Sequence, residues 1–118
     1  MIKILLDTNV AVYIFDRKLD IHKILDKSLS EPYSLNILDL CVNELKTIGR
    51  RDVAKFVGVL GVNELHSDLK NIGVDDAIVR EASKRGYYIM SEDGGLLRMA
   101  GSVGIKTVTF NGYGVKIK

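Results

Sequence analysis

The chain has 118 residues, a formal net charge of +2 and a single cysteine, Cys41. This length fits one domain and not two, and a lone thiol excludes both a disulfide scaffold and a cysteine-based zinc site. Hydrophobic residues at 47%, charged residues at 27% and one proline exclude a disordered chain, and the mild basic excess permits a nucleic-acid partner without arguing for one.

No apolar run reaches the ~18 residues of a membrane span. Asp7 and Asn9 interrupt the apolar start MIKILLDTNVAVYIF, and no small-residue cleavage site follows. A cytoplasmic protein with no membrane partner is the expectation.

Residues 2–6 (IKILL) read as a strand covered on both faces. Asp7-Thr8-Asn9 follow, and VAVYIF fits a short helix. A second helix, roughly 20–28, carries Ile21, Ile24 and Leu25 on one face and is broken by Pro32. Residues 33–38 (YSLNIL) read as the second strand. Asp39 is the expected N-cap of a helix with Cys41, Val42, Leu45 and Ile48 on its apolar face and Gly49 as its stop. Helical spacing recurs over 51–60. In 61–73, Val62, Leu65, Leu69 and Ile72 fit another helix, but Gly61, Asn63, Asn71 and Gly73 weaken it.

The next segments are clearer. Asp75 is the expected cap of a helix over 75–85, with Lys84-Arg85 in its last turn and Gly86 at its end. YYIM (87–90) is a strand, Ser91 to Gly95 a turn, and Leu96, Leu97, Ala100 and Val103 mark a helix closed by Gly104. IKTVTF (105–110) is a strand, and the tail NGYGVKIK has a turn signature before an edge strand. The alternation predicts an α/β fold: a three-layer α/β/α sandwich around a mostly parallel sheet, formed by one domain over 1–118.

Ligands of such sheets sit outside the carboxyl ends of the strands. The residues expected there are mostly acidic. Asp7 ends the first strand, Glu44 sits in the second turn of the helix leaving the second strand, Asp75 and Asp76 open a helix, and Asp93 follows YYIM. Asn9 and Ser91 add neutral polar groups at the same edge. Singly, each carboxylate has a plain role as a helix cap, a solvated helix residue or a turn residue. Jointly they would repel one another, and a bound cation relieves that. Oxygen-only donors suit Mg²⁺ or Mn²⁺. His22 and His66 lie outside the cluster, and Cys41 faces the core.

Three stretches carry a family likeness. ILLDTNV (4–10), CVNELKTI (41–48) and VDDAIVREASKRGYYIMSEDGGL (74–96), in that order, resemble the PIN domain, a compact metal-dependent nuclease domain. The resemblance implies a PIN-like fold and an acidic quartet of Asp7, Glu44, Asp76 and Asp93, with Asn9 and Ser91 in support. Within the Asp75-Asp76 pair, Asp76 is preferred because it directly precedes Ala77-Ile78, leaving Asp75 as the cap; if the helix start shifts by one residue, Asp75 becomes the ligand. Asp7, Asp76 and Asp93 would bind Mg²⁺ or Mn²⁺ directly, and Glu44 directly or through water. The metal would offset phosphate charge and activate a water for attack on phosphorus.

The resemblance also implies RNA as substrate. Arg17, Lys18, Arg50, Arg51, Lys84, Arg85 and Arg98 are candidate phosphate contacts, each with a solvated surface as its plain reading. Tyr13, Tyr33 and Tyr113 are the candidates for base stacking. Two biological branches stay open: the toxin of a toxin–antitoxin pair, held by a small antitoxin protein, or an RNA-processing nuclease. Homodimers occur in the family. The alternatives are an inactive PIN-like module that binds RNA or protein, and a receiver-type phosphoacceptor, which would want an acidic pair after the first strand rather than the single Asp7.

Overall fold

The structure, a computed structural model, describes residues 1–69 and 71–118. Strand β1 (Ile2–Leu6) leads into α1 (Thr8–Asp16) and α2 (Ile21–Ser28). Strand β2 (Tyr33–Leu38) leads into α3 (Asp39–Thr47) and α4 (Arg51–Val59). Then come β3 (Asn63–Leu65), α5 (Val74–Arg85), β4 (Tyr88–Met90), α6 (Gly94–Ser102) and the β5 (Thr107–Asn111)–β6 (Gly114–Ile117) hairpin.

The six strands form one sheet in the order β3-β2-β1-β4-β5-β6. All pairings are parallel except β5–β6. The chain builds outward from β1 through β2 to β3, then returns to the other side of β1 for β4. Helices α1, α3 and α4 pack together, and α5 packs on α6. Reversing direction along the sheet places these two groups on opposite faces, because parallel crossovers are right-handed. The α/β/α layering expected from the alternation is therefore present. No helix among the described residues is long and apolar enough to cross a membrane.

The central strands are apolar because both faces are covered. Ile4, Leu5, Leu6, Ile37, Leu38 and Ile89 are fully buried, each stabilising the fold by about 1.5–3 kcal/mol relative to exposure. The interior of β2 holds one polar exception, Asn36. Its amide donates to Ile4 O (3.2 Å) on β1 and accepts from Asn63 Nδ2 (3.3 Å) on β3, so its burial tightens three neighbouring strands.

Four local expectations need correction. Segment 61–73 contains a short parallel strand rather than a helix: Gly61 at φ +82° closes α4, and β3 pairs with the free edge of β2. Position 70 of that segment lies outside the described residues. Asp39 is the first residue of α3 and not its cap. Its carboxylate instead holds the chain after β3, accepting from Ser67 N (3.2 Å) and contacting His66 Nδ1 (2.9 Å). The N-cap of α5 is Gly73, so Asp75 and Asp76 both lie in the first turn. Helix α6 begins at Gly94, because Asp93 caps it with Oδ1 accepting from Gly95 N (2.8 Å) and Leu96 N (3.2 Å).

Candidate functional site

Strand order reverses between β1 and β4, and such a switch point leaves a crevice at the strands' carboxyl ends. Asp7 follows β1 and Ser91 follows β4, both buried, at 4% and 0% exposure. The Ser91 hydroxyl donates to Asp7 Oδ2 (2.9 Å) and accepts from Asp93 N (3.0 Å). One small side chain thus joins the Asp7 carboxylate to the backbone amide of Asp93, 86 positions away in sequence. Asp7 stands at the N-cap of α1 yet makes no side-chain capping bond, so its carboxylate is not explained by helix capping.

Charge defines the rest of the neighbourhood. Burial holds the Asp7 carboxyl above its ordinary value of 3.8; the Asp75 and Asp93 charges push the same way, and the Ser91 hydrogen bond opposes them. Asp75 is also raised, by burial first and then by Asp93, Glu44 and Asp76. Burial pushes the Cys41 thiol up to about 12, with Asp7 and Glu44 adding to the shift. Cys41 is therefore a protonated core residue behind the acidic edge. The charges of Asp75 and Asp93 thus reach Asp7, and those of Asp93, Glu44 and Asp76 reach Asp75.

The structure corrects the cap assignment within the Asp75-Asp76 pair. The preference for Asp76 left Asp75 as the cap, and Gly73 occupies that position. Asp75 is the member of the pair whose charge acts on Asp7. Asn9 is exposed in the first turn of α1, and Glu44 is half-buried on α3.

The donor set suits a hard divalent ion. It is made of oxygen and carries surplus negative charge. Among the described residues, no three Asp, Glu, His or Cys side chains are grouped closely enough to hold a metal ion.

The basic candidates divide. Arg50 is held by Asp16 (2.6 and 3.1 Å) and by Asp52 (3.2 and 3.3 Å), beyond the end of α3 opposite its Asp39 start. Arg85 is held by Glu81 (3.1 Å) and His66 O (3.0 Å). These two guanidiniums are already engaged within the fold. Arg51, Lys84 and Arg98 make no ion pair among the described residues. Arg98 folds back toward Gly94, with Nη1 only 3.2 Å from where a Cβ would stand, beside Asp93. Tyr33 is not free for stacking, because its ring lies against His22 and its hydroxyl contacts His22 Nδ1 at 2.8 Å.

One residue escaped the sequence reading. Glu92 Oε1 accepts from Phe110 N (2.7 Å), tying the turn after β4 to the end of β5. Its only signal was its position between Ser91 and Asp93.

A scan against family models and a search of curated proteins each found no match. Solved structures do match. The PIN domain endonuclease Utp24 superposes with a TM-score of 0.86 at 20% identity, over 98% of this chain and 90% of that one. VapBC2 from Rickettsia felis, solved bound to a DNA fragment from their promoter, gives 0.67 at 13% identity over 93% and 100%. SSO1118, a PilT N-terminus domain protein from Sulfolobus solfataricus P2, gives 0.62 at 16% identity over 92% and 87%. At such identities the likeness speaks to architecture: the chain has the fold of a PIN domain.

Proposed function

We propose that this protein is a ribonuclease that hydrolyses RNA phosphodiester bonds with Mg²⁺ or Mn²⁺. The observation that carries the reading is the Asp7–Ser91–Asp93 link at the β1/β4 switch point, where burial and like charge hold Asp7 in a state that a cation would relieve. Asp7, Asp75 and Asp93 are the proposed ligands, with Glu44 acting directly or through water. When bound, the ion supplies neutralisation of phosphate charge and a lowered pKa for the attacking water.

The chain's own groups have separable tasks. Ser91 orients Asp7 and fixes the turn that carries Asp93. Asp93 Oδ1 is occupied by the α6 cap, leaving Oδ2 for an ion. Arg98, whose guanidinium lies against Gly94, would meet a phosphate, and Asn9 would flank the same edge. An inactive binding module would be favoured by a missing carboxylate, and all four are present.

The test is cleavage of labelled RNA with and without Mn²⁺, for the unaltered protein and Asp7→Asn. Metal-dependent cleavage that Asp7→Asn abolishes supports the reading. Full activity in Asp7→Asn, or no cleavage and no thermal shift in millimolar Mn²⁺, rejects it. Expression alone separates the branches: growth arrest relieved by a small co-expressed protein favours a toxin with an antitoxin, and an unaffected culture with altered RNA processing favours the other.

A further inference from the structure

Beside the acidic edge runs a second feature that the nuclease reading leaves unexplained. A groove of about 380 Å³ lies between α1, α2 and the β5–β6 turn. Tyr13, Phe110 and Tyr113 line it with Ile24, and Lys23 and Lys27 stand at its rim. Tyr113 is 93% exposed, so packing does not account for an aromatic residue there. Tyr13 and Phe110 form a shelf, with ring centroids 5.2 Å apart, and the Arg17 guanidinium sits 5.0 Å from the Tyr13 ring centroid.

We infer that this groove is a subsite for single-stranded RNA, holding one or more bases on the Tyr13–Phe110–Tyr113 surface while Lys23, Lys27 and Arg17 meet the backbone.

Three observations favour that occupant. Charge comes first: no carboxylate lines the groove, and Lys23, Lys27 and Arg17 make no ion pair among the described residues. Aromatic faces alternating with free cations are what an unpaired nucleic-acid strand requires. The second is continuity with the site. Asn9, Tyr13 and Arg17 are spaced i, i+4, i+8, so they form one stripe along α1 and just past its end, starting two residues from Asp7. On the other wall, Glu92 holds Phe110 N next to Asp93. The third is rigidity: Val115 N donates to Ser28 Oγ (3.2 Å), pinning the hairpin that carries Tyr113 to the end of α2.

The subsite rests on the nuclease reading for its purpose, but its test does not use cleavage. Fluorescence anisotropy in chelator would measure the affinity of the full chain for a labelled single-stranded RNA across a salt series. Tyr113→Ala is expected to weaken binding about 5- to 150-fold, the loss of one stacked base, and Tyr113→Phe to restore it. The Lys23→Ala/Lys27→Ala pair is expected to reduce the slope of log K against log salt by about 1.4, at roughly 0.7 per phosphate contact. Unchanged affinity in Tyr113→Ala, or tighter binding of duplex than of single strands, overturns the inference. So does a dimer in sedimentation equilibrium that Tyr113→Ala dissociates, which would make the groove a contact between copies. Failure of Mn²⁺-dependent cleavage would instead strike the nuclease reading and leave the binding result standing.

Discussion

Ser91→Ala probes the centre of the proposed site through stability alone. The hydroxyl is completely buried and makes two bonds, one to the Asp7 carboxylate and one from the Asp93 amide. A hydrogen bond to a charged group contributes about 1.5–3 kcal/mol and a neutral one about 0.5–1.5. Alanine removes both, so a loss of about 2–4 kcal/mol is expected. For a chain of this length each kcal/mol moves the melting temperature by roughly 4 °C, giving a drop on the order of 10 °C.

The pH dependence supplies the sharper check. The Ser91 bond favours ionised Asp7, so the cost of removing it is larger at pH 8 than near the ordinary carboxylate value, where Asp7 is protonated. Urea unfolding at both pH values, in chelator, measures this. In an Asp7→Asn background the cost of Ser91→Ala should shrink by on the order of 1 kcal/mol, the difference between a charged and a neutral acceptor. An equal cost in both backgrounds would refute the claim that Ser91 acts on a charged Asp7.

Four further outcomes follow from the same geometry. Asp7 and Asp75 both have raised values in the folded chain; in chelator these two groups therefore make stability fall as pH rises from about 3.8 through those raised values, and Mn²⁺ at 100 times its Kd should add about 2.7 kcal/mol above that window, read by thermal melts. Asp75→Asn should abolish metal-dependent cleavage whereas Asp76→Asn retains most of it, and the reverse pattern would return the ligand role to Asp76. Arg98→Ala should weaken RNA binding and Arg50→Ala should not, because Arg50 is held by Asp16 and Asp52; Arg50→Ala should instead lower the melting temperature slightly. Gly58→Ala, at an exposed helical position with no atom near the new methyl, should stabilise the protein by about 0.5–1 kcal/mol in urea melts.

Much of this molecule is written in local pattern. IKILL and YSLNIL read as covered strands because a parallel sheet flanked by helices demands unbroken apolar runs, and those strands are β1 and β2. The order of acidic residues along the chain was equally visible. Segment 61–73 was not legible, since three residues of edge strand carry too little periodicity to outweigh the helical spacing of Val62, Leu65 and Leu69. The role of Asp39 was hidden for a related reason: its partners, His66 and Ser67, are 27 and 28 positions away.

Sequence alone determined which residue types are available: five carboxylates at predicted strand ends and in the early turns of predicted helices, a hydroxyl at 91, and oxygen as the only donor chemistry. Tertiary structure decided which of them meet. The reversal of strand order beside β1 sets Ser91 against Asp7, Gly73 takes the cap and leaves Asp75 in the field of Asp7, and long-range pairs hold Arg50 and Arg85 within the fold. Periodicity is a property of neighbours along the chain, whereas a shared charge environment depends on distances through space that only the folded sheet fixes.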